Sequence, residues 1–360
     1  MPMNIFEHIS NSLENNDPDQ ALSVIYKFIN ANNINFIIKY FIDERDRLGS
    51  RIYMDEHIIF KANQFFKSGF EKFGVLFNTF EYQDDFRFSD TEIITALDRL
   101  KGVSFKYAYM DGLYDDFFIK LIQRKCFEGI KELSMSSCSN ESLMAILGMN
   151  NISVLKITSE FNDYKVFSSI INNLCIQQVM FNQSSFSFEY PENVRLASNH
   201  LRDVSFNECR FLFNPKSILE DIVLMDLESL NIKYVNGFSS LDELAYLFNL
   251  FSKSTGKRLC LSGIMITKSL LEIINDYEEK GTIEELDLSG SHMLKNESLL
   301  DVINLIKSYK VKKLNLYGVG IDDNKIQTIA SKCPTCEVFT QWSEDPFVVP
   351  QENQATSSWL

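Results

Sequence analysis

The amino-acid sequence predicts an α/β repeat protein in which short parallel strands alternate with helices, preceded by an all-helical N-terminal domain. Three observations indicate this fold class. A short apolar motif recurs from about residue 100 onward, at intervals of 22–30 residues. Segments with helical periodicity separate its copies. The first 98 residues show no strand alternation and divide into five or six short segments with helical periodicity.

The recurring motif has the pattern L-x-x-L-x-L, where L is an apolar residue and x is variable. Its clearest copies are VKKLNL at 311–316 and IEELDL at 283–288. The series opens with a degenerate copy at Leu100, Val103 and Phe105. The second apolar positions of successive copies are Val103, Leu133, Leu155, Val179, Val204, Leu230, Leu259, Leu286 and Leu314, at steps of 30, 22, 24, 25, 26, 29, 27 and 28 residues. Units of about this length are typical of leucine-rich repeats.

The segments between the motifs predict the helices of the repeat. Ser240 with Glu243, and Ser269 with Glu272, form capping-box pairs at the starts of two of them. One strand with one helix cannot bury its apolar face alone, so the units stack into a shared core. Residues 99–340 therefore predict a solenoid of about nine to ten irregular repeats, with parallel strands on the concave side and helices on the convex side.

The N-terminal domain, residues 1–98, predicts a helix over 18–30 as its best-defined element. Asp17 can cap this helix, and Pro18 occupies the first helical position. Leu22, Ile25, Tyr26 and Ile29 then form an apolar stripe. The domain either caps the solenoid or docks a partner. At the other end of the chain, residues 341–360 lose the repeat period and predict a flexible tail.

Charge and composition exclude several classes of partner. The chain has 35 basic and 49 acidic residues and a formal net charge of −14, whereas nucleic acid and anionic membranes require a basic surface. No apolar run reaches the roughly 18 residues that a membrane helix needs. The N-terminus lacks the basic and apolar regions of a signal peptide. These features predict a protein of the cytoplasm or the nucleus, with its seven cysteines reduced.

The sequence shows no set of residues for catalysis, a cofactor or a metal ion. It lacks a glycine-rich phosphate loop and the HExxH motif. The pair Cys333 and Cys336 resembles half of a zinc site, but Cys336 follows Leu314 by 22 residues and therefore predicts a terminal repeat strand. Cys209 is predicted in the core and Cys260 on the concave face. We therefore predict a protein that is not an enzyme.

The repeat alignment predicts which side chains face the concave side. They are mostly small and neutral, with charges of both signs, and they suit a protein ligand held by hydrogen bonds along an extended face. The candidate substrate-binding residues are Lys156, Met180, Asn182, Asn207, Lys233, Arg258, Asp287 and Tyr317.

The N-terminal helix and the repeats together resemble the leucine-rich substrate receptors of elongin-containing cullin–RING ubiquitin ligases, which include the Zyg-type receptors and the nematode zinc-finger-interacting factor. In this family an early helix carries a box that binds elongin C. Ala21 and Leu22 match the start of the box, and Tyr26 stands where the family prefers cysteine. The resemblance implies that elongin C contacts Ala21, Leu22, Ile25, Tyr26 and Ile29.

The resemblance also implies a cullin contact and a function. Tyr53, Met54 and Ile58 lie where the family contacts cullin, with Met54 in place of the usual proline. The chain would then be the substrate-recognition subunit of the ligase, with elongin B, elongin C and a cullin as partners. Its substrate would be a protein, and a basic zinc-finger protein would suit the net charge of −14.

Two alternatives to this function remain open. An F-box protein would keep the ligase role but dock on Skp1, and it would need a Leu-Pro start that the sequence lacks. A repeat scaffold or secreted bacterial effector would use its N-terminal helices only to cap the solenoid. Exposure of the stripe from Leu22 to Tyr26 would favour docking, and burial of that stripe would favour capping.

Overall fold

The computed structural model describes residues 79–82, 90, 91, 94, 98, 105–110, 115–191, 195–264, 266–292 and 294–340. The chain divides into two compact units, Met1–Ile152 and Ser153–Leu360. Each unit contains parallel strands and helices, so the prediction of a mixed α/β protein built on parallel strands is confirmed.

The first unit contains a run of three parallel strands. Strand β1 is Thr79–Tyr82, β2 is Tyr107–Met110 and β3 is Glu132–Ser136. Helix α1 (Asp115–Ile122), a 3-10 helix (Lys125–Phe127) and helix α2 (Asn140–Ile146) lie between or after these strands. The Ser139 hydroxyl caps α2 by accepting hydrogen bonds from the backbone N–H groups of Glu141 and Ser142.

The first unit corrects two predictions. Residues Thr79–Tyr82 lie in the predicted all-helical domain but form a strand, with Phe80 opposite Ala108 in β2. Thr, Phe and Tyr favour strands, and four residues are too few to reveal a period of two. The opening repeat is also shifted, because β2 pairs with β3 through Ala108 opposite Leu133, not through Val103. Alanine at this core position hid the motif.

The described residues of the second unit form eleven strands in two parallel sheets. The main sheet has the order β4-β6-β8-β10-β11-β12-β13-β14, and the small sheet has the order β5-β7-β9. The bounds are β4 Val154–Thr158, β5 Glu160–Phe161, β6 Gln178–Asn182, β7 Ser185–Phe186, β8 Asp203–Asn207, β9 Arg210–Phe211, β10 Ser229–Lys233, β11 Arg258–Cys260, β12 Glu285–Asp287, β13 Lys313–Asn315 and β14 Glu337–Phe339.

Helices connect most of these strands. They are α3 (Tyr164–Ile171), α4 (Lys216–Val223), α5 (Leu241–Lys253), α6 (Lys268–Asp276), a 3-10 helix (Asn296–Ser298), α7 (Leu299–Tyr309) and α8 (Asp323–Lys332). Ser240 caps α5 as predicted, since its hydroxyl accepts from the backbone N–H of Glu243. The cap of α6 is Thr267 and not the predicted Ser269, because the helix begins at Lys268, two residues before the start that a Ser269 cap predicts.

Register in the main sheet places equivalent apolar residues side by side. Leu155 lies opposite Val179, and Leu259 opposite Leu286, with both members of each pair buried. At the end of the sheet, Leu314 pairs with Val338 and not with Cys336. Cys336 precedes β14 and is buried, so its thiol packs against the last repeat without belonging to its strand.

Phenylalanine fills the interior between the main and small sheets. The Phe186 ring stacks on Phe161 and Phe211, with centroids 5.1 and 4.6 Å away, and meets Phe181 edge-on at 5.4 Å. Phe206 stacks in turn on Phe181 at 5.2 Å. These residues are all at most 4% exposed. Offset and edge-to-face contacts of this kind add stability beyond the apolar area that they bury.

Between β7 and β8 the described residues, 187–191 and 195–202, contain no helix. A buried carboxylate holds this segment in place. Asp221 of α4 is 2% exposed and accepts hydrogen bonds from the Tyr190 hydroxyl, from Arg195 Nη1 at 2.6 Å and from the Leu196 backbone N–H at 3.0 Å. Burial and the hydrogen bond to Asp221 raise the pKa of Tyr190 far above its ordinary value, so the hydroxyl remains a donor.

Candidate protein-binding surface

The predicted elongin and cullin contacts lie outside the described residues. This applies to all eight of them: Ala21, Leu22, Ile25, Tyr26, Ile29, Tyr53, Met54 and Ile58. They stay predictions from the sequence.

The structure brings the predicted substrate-binding residues onto one face of the main sheet. We call this the outer face: it carries the side chains that alternate with the buried apolar residues of β4, β6, β8, β10, β11, β12 and β13. Lys156 lies opposite Met180, and Asn182 lies opposite Asn207. Asn207 in turn lies opposite Lys233. The alternation of apolar and polar residues therefore placed these side chains correctly.

The accessibility of the outer face differs along the sheet. Lys156, Met180, Asn182, Asn207, Lys233 and Arg258 are half-buried, and Tyr317, two residues after β13, is 39% exposed. Neighbouring amides also contact each other, because Asn207 Nδ2 donates to Asn182 Oδ1 at 2.8 Å. The part of this face over β4, β6, β8 and β10 thus presents amide and ammonium groups to solvent.

Asp287 differs from the other predicted contacts because it is 4% exposed. Its Oδ1 accepts from Asn315 Nδ2 at 3.0 Å and from the Ser289 backbone N–H at 2.8 Å. Its Oδ2 lies 3.4 Å from the Cys260 thiol. A carboxylate satisfied by three neighbours holds adjacent strands together, so its predicted exposure to a substrate is wrong.

Cys260 lies on the outer face as predicted, next to Asp287, but it is only 2% exposed. Burial, followed by the charge of Asp287, raises the pKa of the Cys260 thiol far above its ordinary value. Burial likewise raises the pKa of Cys209 to about 11 and that of Cys336 to about 12. These thiols are therefore protonated and poorly nucleophilic at neutral pH.

Ion pairs run across the strands at the amino-terminal edge of the outer face. The Glu285 carboxylate pairs with Arg258, whose Nε lies 2.6 Å from Oε2, and with Lys313, whose Nζ lies 2.8 Å from Oε1. In the adjacent row, Lys312 Nζ lies 2.9 Å from Glu284, and this hydrogen bond lowers the pKa of Glu284. The charges of Glu284 and Glu285 are thus matched within the chain, so a partner gains little by binding to them.

Asp203 is the carboxylate at this edge whose charge is unfavourable. Burial, and then the nearby charge of Glu228, raise its pKa above the ordinary 3.8. The folded protein therefore holds this proton more tightly than the unfolded chain does, and it loses stability as the pH rises through the folded pKa. We expect Asp203→Asn to be more stable than wild type at neutral pH, with the difference vanishing well below pH 3.8.

Urea unfolding of the wild type and Asp203→Asn at pH 7 and near pH 3 measures this difference. Glu228→Gln is the matched control, since removal of the neighbouring charge should stabilise the wild type at pH 7 but have a smaller effect on Asp203→Asn. Lower stability of Asp203→Asn at pH 7 would show that ionised Asp203 is favourable.

Sequence reasoning missed the residues that follow the strands of the main sheet. Gln183, Glu208 and Tyr234 come directly after β6, β8 and β10 and have positive φ values of 46°, 55° and 53°. The sequence did contain a signal for these turns. In the later repeats, glycine occupies the equivalent position, directly after Leu261-Ser262, Leu288-Ser289 and Leu316-Tyr317. A repeat position that glycine often occupies indicates a left-handed turn.

Two structural findings bear on metals and membranes. Among the described residues, no group of three or more His, Cys, Asp or Glu side chains could hold a metal ion. The helices in the part of the chain that the structure describes are too short or too polar to span a membrane.

Comparison with known proteins identifies no relative by sequence. No family model matches the chain, and no curated protein matches it. Among solved structures, a protein of Bacteroides fragilis is 14% identical over 68% of this chain and 77% of its own, with a TM-score of 0.45. A chain of the TLR13–ssRNA13 complex is 10% identical over 68% of this chain and 40% of its own, with a TM-score of 0.37.

Proposed function

We propose that the chain is a non-catalytic leucine-rich-repeat solenoid that recognises a protein, and that it serves as the substrate-recognition subunit of a cullin–RING ubiquitin ligase. The observation that carries the first part is the strand register. Equivalent core residues of paired strands lie 24–29 residues apart in sequence, as between Leu230 and Leu259, while polar side chains share the opposite face. Stacked repeats of this kind present extended surfaces to protein ligands.

The outer face supports a protein ligand over a small molecule or nucleic acid. It combines Met180 with the amides of Asn182 and Asn207 and the ammonium groups of Lys156 and Lys233. Hydrogen-bonding groups spread along several strands suit an extended protein surface. The net charge of −14 favours a basic protein over nucleic acid.

The ligase role rests on the sequence of the helix predicted over 18–30. In this proposal Ala21, Leu22, Ile25, Tyr26 and Ile29 contact elongin C, which brings elongin B. Tyr53, Met54 and Ile58 contact the cullin. The chain contributes no chemistry to ubiquitin transfer. It raises the effective concentration of substrate lysines near the ubiquitin-loaded enzyme by binding both partners at once.

The cysteines support a location in the cytoplasm or the nucleus. All seven lie in the described ranges and all are thiols, four of them with pKa values raised to about 11 or higher by burial. Reduced cysteines are usual in these reducing compartments.

One observation favours the alternative, a repeat scaffold whose N-terminal residues only cap the solenoid. Strand β1 (Thr79–Tyr82) lies within the predicted helical domain and pairs with β2, so the last part of that domain extends the sheet. A shorter helical segment is closer to the size that a cap requires.

Co-expression with elongin B and elongin C tests the ligase role. We expect the full chain to co-elute with both proteins and Leu22→Asp to lose them, because a carboxylate in an apolar contact is strongly unfavourable. Leu300→Asp is the matched control, since Leu300 is 66% exposed on α7 in the second unit, and it should keep the complex. A folded wild type that binds neither elongin would leave the scaffold function.

A further inference from the structure

The carboxyl ends of the main-sheet strands carry one repeated backbone turn. Each turn places a residue at positive φ: Gln183, Glu208 and Tyr234 in three consecutive repeats, then Gly263, Gly290 and Gly318 in the next three. The turns form a ladder, since Glu208 N–H donates to the Lys233 carbonyl and Tyr234 N–H to the Ser262 carbonyl, at 2.8 and 2.9 Å. Glycine adopts this conformation without strain, whereas larger residues do not.

Two of the three larger residues, Gln183 and Glu208, contribute little to folding that would offset this strain. Their side chains are exposed, and Gln183 Nε2 donates a hydrogen bond of 3.0 Å to Glu208 at the surface. Exposed hydrogen bonds of this kind add little stability. Strained residues that persist without a structural benefit are concentrated at binding sites. We call the surface of Gln183, Glu208 and Tyr234 the rim.

The Tyr234 side chain lies over the turns of the next two repeats. A Cβ at Gly263 would lie 2.2 Å from Cδ1 and Cε1 of the Tyr234 ring, and a Cβ at Gly290 would lie 3.2 Å from its hydroxyl oxygen. Glycine at these two positions therefore provides the space that the ring occupies. Tyr234 is still 53% exposed, so the side of the ring that faces away from the glycines is open to solvent.

The rim offers a carboxylate beside the Tyr234 ring. Glu208 is exposed and occupies the turn of the repeat next to Tyr234. Lys233 directly before Tyr234 and the exposed Arg210 on β9 are the nearby cations, and within the described residues neither forms an ion pair with Glu208. A guanidinium can stack on a tyrosine ring while donating hydrogen bonds to a carboxylate beside it. The net charge of −14 adds a long-range attraction for a basic partner.

We infer that the rim of Gln183, Glu208 and Tyr234 binds an arginine side chain of the partner protein, with Tyr234 as the stacking surface and Glu208 as the counter-charge. This inference rests on the proposed function in that it assumes a protein ligand. It extends the predicted surface beyond the outer face to the carboxyl ends of the strands.

A titration with defined peptides tests the inference on the full chain at about 0.15 M salt, where long-range attraction is screened. Isothermal titration calorimetry measures the affinity of an octapeptide of four Gly-Arg repeats and of its Gly-Lys and Gly-Glu counterparts. We expect saturable binding of the Gly-Arg peptide, about threefold to tenfold weaker binding in Tyr234→Ala and in Glu208→Gln, and no change in Leu224→Ala, an exposed residue at the end of α4.

A stability measurement separates binding from a structural role. Glu208→Gly relieves the strain of the left-handed conformation, so we expect it to leave the Tm unchanged or raise it by about 2 °C. The same variant should bind the Gly-Arg peptide more weakly than the wild type does. Equal affinity of the wild type and Tyr234→Ala, or equal binding of the Gly-Glu peptide, would overturn the inference. The titration needs no elongin, so its failure leaves the co-expression experiment to decide the proposed function.

Discussion

Phe186→Ala should destabilise the protein by about 3–5 kcal/mol, the range for removing a fully buried phenylalanine. Phe186 has no exposed surface, and its ring contacts those of Phe161, Phe181 and Phe211. Truncation would remove these contacts and leave a cavity between the two sheets, because the neighbouring strands hold their own rings in place. Urea unfolding followed by circular dichroism measures the loss.

Leu212→Ala provides the matched control for Phe186→Ala. Leu212 follows β9 and is 58% exposed, so its truncation removes apolar atoms that are already in contact with water. We expect its effect to be within about 0.5 kcal/mol. A loss below about 1 kcal/mol for Phe186→Ala would show that the site collapses around the smaller side chain.

Asp221→Ala should destabilise the protein by about 3 kcal/mol, because it removes the acceptor of one buried and one half-buried donor. The Leu196 backbone N–H and the Tyr190 hydroxyl both donate to this carboxylate. The Leu196 N–H has no other acceptor among the hydrogen bonds described for this segment. Limited proteolysis should also cleave the residues between β7 and β8 faster in this variant, because the carboxylate is what fixes them to α4.

Arg195→Ala tests how much of this stability comes from the ion pair with Asp221, because it leaves the hydrogen bond from the Leu196 N–H in place. The Arg195 side chain is 70% exposed although its Nη1 lies 2.6 Å from Asp221. An exposed guanidinium contributes little to stability, so we expect a much smaller loss than in Asp221→Ala. If Arg195→Ala destabilises the protein as much as Asp221→Ala, the ion pair and not the backbone hydrogen bond fixes the segment.

The sequence contained enough information to predict most strands of the second unit. Apolar residues at every second position, as in Val204 and Phe206, recur at a regular step, and the side chains between them fall on the opposite face. Six of the eight predicted substrate contacts accordingly lie half-buried on the outer face, and Tyr317 is exposed beside it.

Periodicity failed where a strand was short or a core side chain was small. Strand β1 has four residues, and β2 uses Ala108 where the motif expects a large apolar residue. Burial of Asp287 depends on its neighbours in β11 and β13, which lie 27 and 28 residues away in sequence. The positive φ of the rim residues could not be predicted from their own identity, because the sequence signals this torsion only in the repeats that have glycine at the same position.

The helix-free segment between β7 and β8 has a consequence for the order of folding. A helix gains hydrogen bonds among its own residues, so units with helices can begin to form before their neighbours are in place. Residues 187–191 and 195–202 contact earlier residues, as Phe188 contacts Phe167. They also need Asp221 and Phe213, which come later in the chain. During synthesis this segment completes its contacts only after α4 has emerged. It should therefore be among the last parts of the second unit to acquire protection against hydrogen exchange.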